Sequence, residues 1–242
     1  GTPYYRFIRM SEALDNALQA ILARKRREAD AGDVLSMLIH MRDENGEQMT
    51  ENELVGQANI LFFAGHETTA NLLTWTLFLL NKHPDVYARV MGELDSVLGG
   101  ADPTVEQLGK LEVLDRVLKE SLRILSPVPF LLRVAMENTE LGGYRIPRGS
   151  EVIYSPYITH HMPEIYPEPQ RFNPDRWLNS SPSSYEYLPF GAGISMCIGA
   201  TFAQMEAKIV LSTMLQRYHL ALPPEMPVNR SVMITLSPKG GL

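Results

Sequence analysis

A single cysteine, Cys197, lies in a glycine-rich segment directly before a predicted helix. Gly191, Gly193 and Gly199 flank it, so the backbone there can bend sharply and come close to a flat, bulky partner. The predicted helix covers residues 198–218, and the positive end of its dipole favours a thiolate on the sulfur. The cysteine is either a small packed hydrophobe or a metal ligand, and the glycine spacing favours the ligand.

The composition is that of an ordinary globular protein. The chain has 242 residues, of which 45% are hydrophobic and 21% charged, and its net charge of −6 argues against nucleic acid as the main partner. One cysteine rules out an internal disulfide framework and fits a reducing compartment. No apolar signal segment opens the chain, and polar residues interrupt the most hydrophobic region, 54–80, so it is not a membrane span. We therefore expect a cytoplasmic location.

Hydrophobic periodicity predicts a mainly helical chain with a small β-sheet, an α+β fold class. We expect one unit covering 1–242, because no linker or repeat is evident. Thr50 and Glu53 predict a capping box, and the proline- and aromatic-rich stretch 163–189 is predicted to be irregular. The predicted helices cover about 4–28, 34–41, 50–82, 84–98, 111–125 and 198–218, and the predicted strands 131–136, 140–141 and 151–154, with a weak pair of strands at the end.

The most apolar predicted helix carries polar residues at its middle. Gly65 weakens a helix by about 1 kcal/mol relative to alanine, and burying the Glu67 carboxylate costs several kcal/mol unless it is solvated or paired. Both features indicate a groove with polar groups at that point. Two alternatives stay open: Thr68 could bond the carbonyl four residues back, and Glu67 could simply pair with an arginine.

Charged residues downstream carry little information when taken singly. Glu120 and Arg123 lie at i, i+3 on one helix face, which is commonly a surface pair. Arg133 is a strand arginine of the kind that usually faces solvent. His160 and His161 are adjacent, so they cannot both face one site on a strand or helix, and we assign them no metal-ligand role.

The segment 190–199 resembles the haem-ligand loop of the cytochrome P-450 family, Phe-x-x-Gly-x-(Arg or His)-x-Cys-x-Gly. The matching residues are Phe190, Gly193, Cys197 and Gly199. Ser195 stands where the family usually has a basic residue that pairs with a haem propionate, and a hydroxyl carries no charge. The loop therefore keeps the family's ligand and loses one of its charged contacts to the haem.

Further motifs resemble the same family in the same order. The run 64–69, Ala-Gly-His-Glu-Thr-Thr, matches every position of its oxygen-binding helix motif. The stretch 120–123, Glu-Ser-Leu-Arg, resembles its Glu-x-x-Arg motif, and 172–177, Phe-Asn-Pro-Asp-Arg-Trp, resembles the partner motif. Each motif is weak or moderate singly, and their shared order makes the case for the family.

The resemblance implies the C-terminal portion of the cytochrome P-450 fold, with the N-terminal half absent from this chain. It implies that Cys197 is the iron ligand and that Glu67 and Thr68 manage water and proton delivery. It also implies cofactor-binding positions at Arg133, Phe190, Gly193, Ala64 and Gly65, a structural network of Glu120, Arg123 and Arg176, and a substrate pocket lined by Phe63, Ala64, Val128, Phe130, Met233 and Ile234.

The function implied is that of a haem-thiolate monooxygenase, which inserts one oxygen atom of O2 into a hydrophobic organic substrate. The cofactor would be haem b, and electrons from NAD(P)H would arrive through a ferredoxin or a flavoprotein reductase. No nucleic acid and no membrane span in this chain are expected, and an N-terminal membrane anchor outside it stays open.

Two alternatives remain beside the monooxygenase. One is a haem-thiolate isomerase, dehydratase or peroxygenase, against which the intact pair Glu67 and Thr68 argues, since that pair serves chiefly in proton delivery during O–O cleavage. The other is a haem-binding protein without activity, or an inactive truncated fragment. Ser195 and the missing half keep this second alternative open.

Overall fold

The computed structural model describes residues 1–28, 32–223 and 227–242. Contacts between α-carbons divide the chain into two compact units, Gly1–His66 and Glu67–Leu242. The prediction of a single unit over 1–242 stays a prediction. The helices are α1 Pro3–Lys25, α2 Val34–His40, α3 Glu51–Lys82, α4 Pro84–Leu98, α5 Val105–Leu108, α6 Glu112–Ile124, α7 Pro156–Thr159, α8 Arg176–Asn179 and α9 Ala200–Arg217, with a 3-10 turn at Gly193–Ser195.

The first unit contains α1, α2 and the first half of α3. Leu18 and Leu22 of α1 are buried with Ile39 of α2 and with Leu54 and Ala58 of α3. The four-residue spacing on α1 and α3 puts each pair on one helix face, which is the face that packs. This small cluster is the apolar core of the unit.

The capping box predicted at the start of α3 is confirmed. The Thr50 N–H donates to the Glu53 carboxylate at 2.7 Å, and the Glu53 N–H donates to the Thr50 hydroxyl at 3.3 Å. The two residues thus satisfy donors that the first helical turn leaves free. From this cap α3 runs unbroken to Lys82, so Gly65 does not interrupt it.

The second unit is built on helix packing. The buried residues of α4 recur every four positions, as periodicity predicts for one apolar face. This face meets α6, α9 and the second half of α3 in one core. The buried side chains include Val86, Val90, Leu94 and Leu98 of α4, Leu114, Val117, Leu118 and Leu122 of α6, Ala207, Leu211 and Leu215 of α9, and Leu72, Trp75 and Leu79 of α3.

The strands form three antiparallel pairs: β1 with β4, β2 with β3, and β5 with β6. The sequence predicts a turn at 142–143, where Gly142 and Gly143 adopt positive φ angles of 58° and 83°. Such angles suit a tight hairpin. The strand that follows this turn was not predicted. The strands are β1 Leu131–Val134, β2 Thr139–Leu141, β3 Tyr144–Ile146, β4 Glu151–Tyr154, β5 Arg230–Val232 and β6 Leu236–Pro238.

The fold class predicted from sequence, mainly α with a small β portion, is confirmed. Among the described helices, none is both long and apolar enough to cross a bilayer. The predicted cytoplasmic location stays a prediction.

Candidate functional site

The loop that carries Cys197 is closed by its own backbone. The Cys197 N–H donates to the Phe190 carbonyl at 2.8 Å, and the Met196 N–H donates to the Gly193 carbonyl at 3.1 Å. Gly191 and Gly193 have φ angles of 72° and 70°, a left-handed conformation that side chains with a Cβ rarely adopt. These two positions therefore explain why the loop needs glycine.

Cys197 precedes α9, as the sequence predicts, but the helix begins at Ala200, two residues later than the predicted start at residue 198. Gly199 is the N-cap of α9, and Cys197 lies two residues ahead of it, just after the 3-10 turn. The loop bonds hold the last residues before the cap out of the helix. Cys197 is free and exposed. The sulfur is thus presented on a bend of the chain.

The surroundings of the sulfur are apolar and open. Ile194 and Ile198 are almost fully exposed, and Phe202 on the first turn of α9 is 61% exposed. A Cβ built on Gly193 would meet no atom within 4 Å, so there is room beside the backbone. Exposed apolar side chains gathered around a thiol indicate a surface that an apolar partner covers.

The two residues expected near haem propionates differ in chemistry. Ser195 is exposed in the 3-10 turn and brings no charge. Arg133 is exposed on β1, where its guanidinium donates to the Leu132 carbonyl at 2.9 Å and lies 5.5 Å from the ring centre of Tyr154. The Arg133 guanidinium therefore contacts residues of β1 and β4. Within the described part of the chain, the structure shows no ion pair for it.

The Glu67 carboxylate of α3 is exposed, and polar groups lie beside it. Its Oε1 accepts a hydrogen bond from the Thr235 hydroxyl at 2.6 Å. That hydroxyl also accepts from the Asn71 amide at 3.2 Å. Sequence reasoning missed Thr235, which is 168 positions away from Glu67. Asn71 could have been found, since it lies one helical turn beyond Glu67 on the same face.

Three further α3 positions of the expected site, Phe63, Ala64 and Gly65, lie in the first unit. Ala64 and Gly65 are exposed, and the Phe63 side chain is 62% exposed. Thr68 belongs to the second unit and is half-buried, and Thr69 after it is buried. The helix therefore shows an apolar exposed stretch up to residue 66 and a polar one after it.

Glu120 and Arg123 form a fully buried ion pair on α6. The Arg123 Nε and Nη2 atoms donate to the two Glu120 oxygens at 2.9 and 2.8 Å, and both side chains are 0% exposed. Arg176 adds a longer contact from its Nε to Glu120 at 3.4 Å. The Asn173 N–H and the Trp177 ring N–H donate to the same carboxylate. The structure thus brings together all three residues of the expected network.

The Arg123 side chain also binds backbone carbonyls in and just before the irregular segment 163–189. Its guanidinium donates to the carbonyls of His160, Pro169 and Arg171 at 2.7, 2.8 and 3.3 Å. These contacts use the donors that Glu120 leaves free, so the buried cation is saturated. One side chain therefore fixes two points of the segment, Pro169 and Arg171, and His160 just before it.

His160 continues this chain of contacts toward the cysteine loop. Its Nε2 accepts the Leu188 N–H at 2.8 Å, and the Leu188 carbonyl accepts the Gly191 N–H at 3.0 Å. Burial, and next the positive charge of Arg123, lower the pKa of His160 from 6.5 to about 3. The ring is thus neutral, with its free electron pair directed at a backbone donor. Among the described residues, no cluster of three or more His, Cys, Asp or Glu side chains could hold a metal ion.

Four expected pocket residues lie in the second unit. Met233 and Ile234, in the turn between β5 and β6, are 81% and 83% exposed, Phe130 is 42% exposed, and Val128 is half-buried. The Leu236 N–H donates to the Pro127 carbonyl at 2.8 Å, which joins the turn to the chain just before Val128. Within this unit, then, apolar side chains from two distant segments are held near one another.

The cytochrome P450 family model matches residues 2–241. The chain belongs to the cytochrome P450 family. Among its relatives, a cyclooctat-9-en-7-ol 5-monooxygenase of Streptomyces melanosporofaciens is 40% identical over 210 residues, which cover 85% of this chain and 46% of the relative. A sterol 14alpha-demethylase of Mycolicibacterium vanbaalenii is 36% identical over 90% of this chain and 50% of its own length. A pentalenene oxygenase of Streptomyces avermitilis is 34% identical over 92% of this chain and 51% of its own.

Solved structures agree with this assignment. The retinoic acid bound cyanobacterial CYP120A1 superposes with a TM-score of 0.89 at 31% identity, covering 96% of this chain and 54% of that one. The heme domain of cytochrome P450DA gives a TM-score of 0.86 at 31% identity, over 95% of this chain and 52% of that one. This P450 chain spans about half the length of the curated relatives it matches.

Membership of the P450 family implies a haem group, dioxygen and a source of reducing equivalents. The residues around Cys197 fit such a group. They offer a free exposed thiol, exposed apolar neighbours, and open space beside Gly193 for a flat macrocycle. In this P450, Cys197 would hold the iron.

We predict that Arg123→Ala lowers the stability of the protein by about 3–5 kcal/mol, because it leaves Glu120 charged and buried without its partner. The measurement is urea unfolding followed by circular dichroism, together with haem content. Arg171→Ala is the matched control, since the Arg171–Glu168 pair has the same i, i+3 spacing and is exposed. A normal unfolding midpoint for Arg123→Ala would contradict a structural role for the pair.

His160 makes stability depend on pH. The unfolded chain takes up this proton near pH 6.5 and the folded chain only near pH 3. The folded state therefore loses stability as pH falls through this window, by up to about 1.4 kcal/mol per pH unit for one group. Urea unfolding at pH 7, 6 and 5 should show a shallower slope for His160→Gln than for the parent. Equal slopes for parent and His160→Gln would rule out this titration.

Proposed function

We propose that the protein is a haem-thiolate monooxygenase that inserts one oxygen atom of O2 into an apolar organic substrate. The observation that carries the proposal is the free, exposed Cys197 on a glycine bend, in a chain that also has the acid and alcohol pair of Glu67 and Thr68. Named monooxygenases among the relatives support it. We further propose haem b as the cofactor and NAD(P)H as the electron source, through a ferredoxin or a flavoprotein reductase.

The residues of the cysteine loop would bind and orient the cofactor. When bound, haem supplies the reductive activation of dioxygen and the transfer of one oxygen atom. Cys197 would hold the iron as a thiolate, which is an electron-rich ligand. Ile194 and Ile198 would cover an apolar face and exclude water from it. With Ser195 uncharged, Arg133 would carry more of the propionate charge.

Glu67 and Thr68 would deliver protons. They follow one another on α3, and both are polar side chains in an otherwise apolar stretch of the helix. The Thr68 hydroxyl can hold a water molecule and pass a proton, and the Glu67 carboxyl group can exchange that proton with solvent because it is exposed. This pair would set when protons reach the reacting oxygen.

The substrate would contact apolar side chains. Met233, Ile234 and Phe130 are exposed large hydrophobics of the second unit, and they offer no charged group to a ligand. From the family resemblance, Phe63 and Ala64 of the first unit are also proposed as substrate contacts. Relatives are named as a sterol 14alpha-demethylase and a pentalenene oxygenase, which agrees with an organic, largely apolar substrate class.

The ligand assignment predicts the behaviour of Cys197→Ser in the full-length protein. This variant should bind haem weakly or through oxygen, lose the thiolate-type absorption of its reduced CO complex, and form no product with NAD(P)H and a surrogate redox system. Met136→Leu, which also changes an exposed sulfur side chain, should behave as the parent does. An unchanged CO spectrum for Cys197→Ser would end the assignment, and a parent that forms no NAD(P)H-dependent product would favour the non-enzyme alternative.

The proton-delivery role predicts that Thr68→Ala keeps haem, Cys197 ligation and substrate affinity, since none of these needs the hydroxyl. NAD(P)H consumption should continue, with a larger share released as hydrogen peroxide because protonation is mistimed. The measurement is peroxide and product per NAD(P)H consumed. Thr74→Ala is the matched control, because Thr74 is on the same helix and its hydroxyl bonds only its own helix at the Ala70 carbonyl. If Thr68→Ala couples as well as the parent, protons arrive by another route.

A further inference from the structure

The turn between β5 and β6 is fastened to one face of α3 by polar contacts. Glu67, Asn71 and Trp75 are spaced four residues apart, so they lie one above another on the helix. Glu67 and Asn71 bind the Thr235 hydroxyl at 2.6 and 3.2 Å, and the Trp75 ring N–H donates to the Leu236 carbonyl at 2.9 Å. Three successive turns of α3 therefore hold two neighbouring residues, the last of the β5–β6 turn and the first of β6.

The Thr235 hydroxyl has a defined direction. It has one proton, and the Asn71 amide donates to its oxygen, so its own proton must point to Glu67 Oε1. The length of 2.6 Å is typical of a hydroxyl that donates to a carboxylate. Asn71 is 7% exposed and Thr235 is 6% exposed, so little room is left for water to replace either partner. Glu67 Oε1 is thereby fixed as a hydrogen-bond acceptor.

We propose that Thr235 is a positioning residue for the Glu67 carboxylate. The inference rests on the proposed monooxygenase function, in which Glu67 delivers protons. Because Oε1 accepts the Thr235 proton, rotation of the Glu67 carboxylate is restricted, and proton exchange through Oε2 is favoured over exchange through Oε1. Asn71 sets the direction of the Thr235 hydroxyl by donating to its oxygen.

The same contact links proton delivery to the proposed substrate pocket. Met233 and Ile234 precede Thr235 directly, and the Met233 N–H donates to the Thr235 carbonyl at 3.2 Å. A substrate that presses on these two exposed side chains acts on the residue that orients Glu67. Thr235 thus gives a physical route by which an occupied pocket can influence the position of the proton donor.

The experiment compares Thr235→Val with Thr235→Ser in the full-length, haem-loaded protein. Valine keeps the shape and removes the hydroxyl, whereas serine keeps the hydroxyl and removes the methyl group. The first readout is structural: the Glu67 carboxylate band, obtained as the infrared difference between each protein and its Glu67→Gln version. Thr235→Val should shift this band, and Thr235→Ser should restore it. Asn71→Leu, which removes the donor that directs the hydroxyl, should shift it as well.

The second readout is coupling. Thr235→Val should raise the ratio of hydrogen peroxide to product by about tenfold, the size expected when a hydrogen bond to a charged group is lost. Thr235→Ser should stay near the parent. In the Glu67→Gln background, Thr235→Val should add almost nothing, because its effect runs through that carboxylate.

The matched control is Thr76→Val, also on α3. Thr76 is fully buried, and its hydroxyl has no hydrogen-bond partner within the described ranges. Its removal should leave both the infrared band and the coupling unchanged. An effect of Thr76→Val equal to that of Thr235→Val would overturn the proposal, because loss of any hydroxyl on or near α3 would then suffice.

The outcomes separate the inference from the function. An unshifted carboxylate band in Thr235→Val overturns the positioning role even if the parent is an active monooxygenase. A parent without NAD(P)H-dependent product overturns the monooxygenase proposal and with it the functional role of Thr235, while the infrared comparison still decides whether Thr235 orients Glu67. A shifted band with unchanged coupling also overturns the proposal, since position would then not matter for proton delivery.

Discussion

The buried ion pair between Glu120 and Arg123 is the interaction on which the second unit depends. Two opposite charges at 0% exposure are tolerated only because every donor and acceptor is used. Glu120 takes donors from Arg176 and Trp177, and Arg123 gives its remaining donors to backbone carbonyls. The pair therefore adds little net stability to the fold, but it holds its neighbours in place. Removal of either member would leave the other charge buried and unpaired.

The irregular segment 163–189, which follows the strands, is held in place by Arg123 of this ion pair. No strand is formed within 163–189, yet its carbonyls at Pro169 and Arg171, and the carbonyl of His160 just before it, bind one guanidinium. From His160 the contacts continue through Leu188 to Gly191, at the beginning of the cysteine loop. The loop that carries Cys197 is thus connected to the helical core through a short series of hydrogen bonds.

Helix α3 serves a second purpose beyond packing. Its buried face contributes Leu72 and Trp75 to the core, and its polar residues bind the turn between β5 and β6. Within this turn, the side chains of Met233 and Ile234 are exposed. A helix of the core and the short β5–β6 hairpin are therefore connected by side-chain hydrogen bonds, which hold the hairpin against the helix.

The sequence alone determined what depends on near neighbours. The periodic valines and leucines of α4, the capping box at Thr50 and the glycine bend before Cys197 all follow from residues within a few positions of one another, where chain geometry fixes the contacts. The family resemblance came from the same local motifs. The start of α9 was missed by two residues, because loop bonds at Phe190 compete with helix formation there.

Only the tertiary structure decided which distant residues meet. Thr235 reaches Glu67 across 168 positions of chain, and no local pattern records that pairing. The carbonyls bound by Arg123 are backbone groups, so no residue type marks them in the sequence. The exposure of Glu67 was also decided there, since burial depends on which elements cover a helix face rather than on the residues beside it.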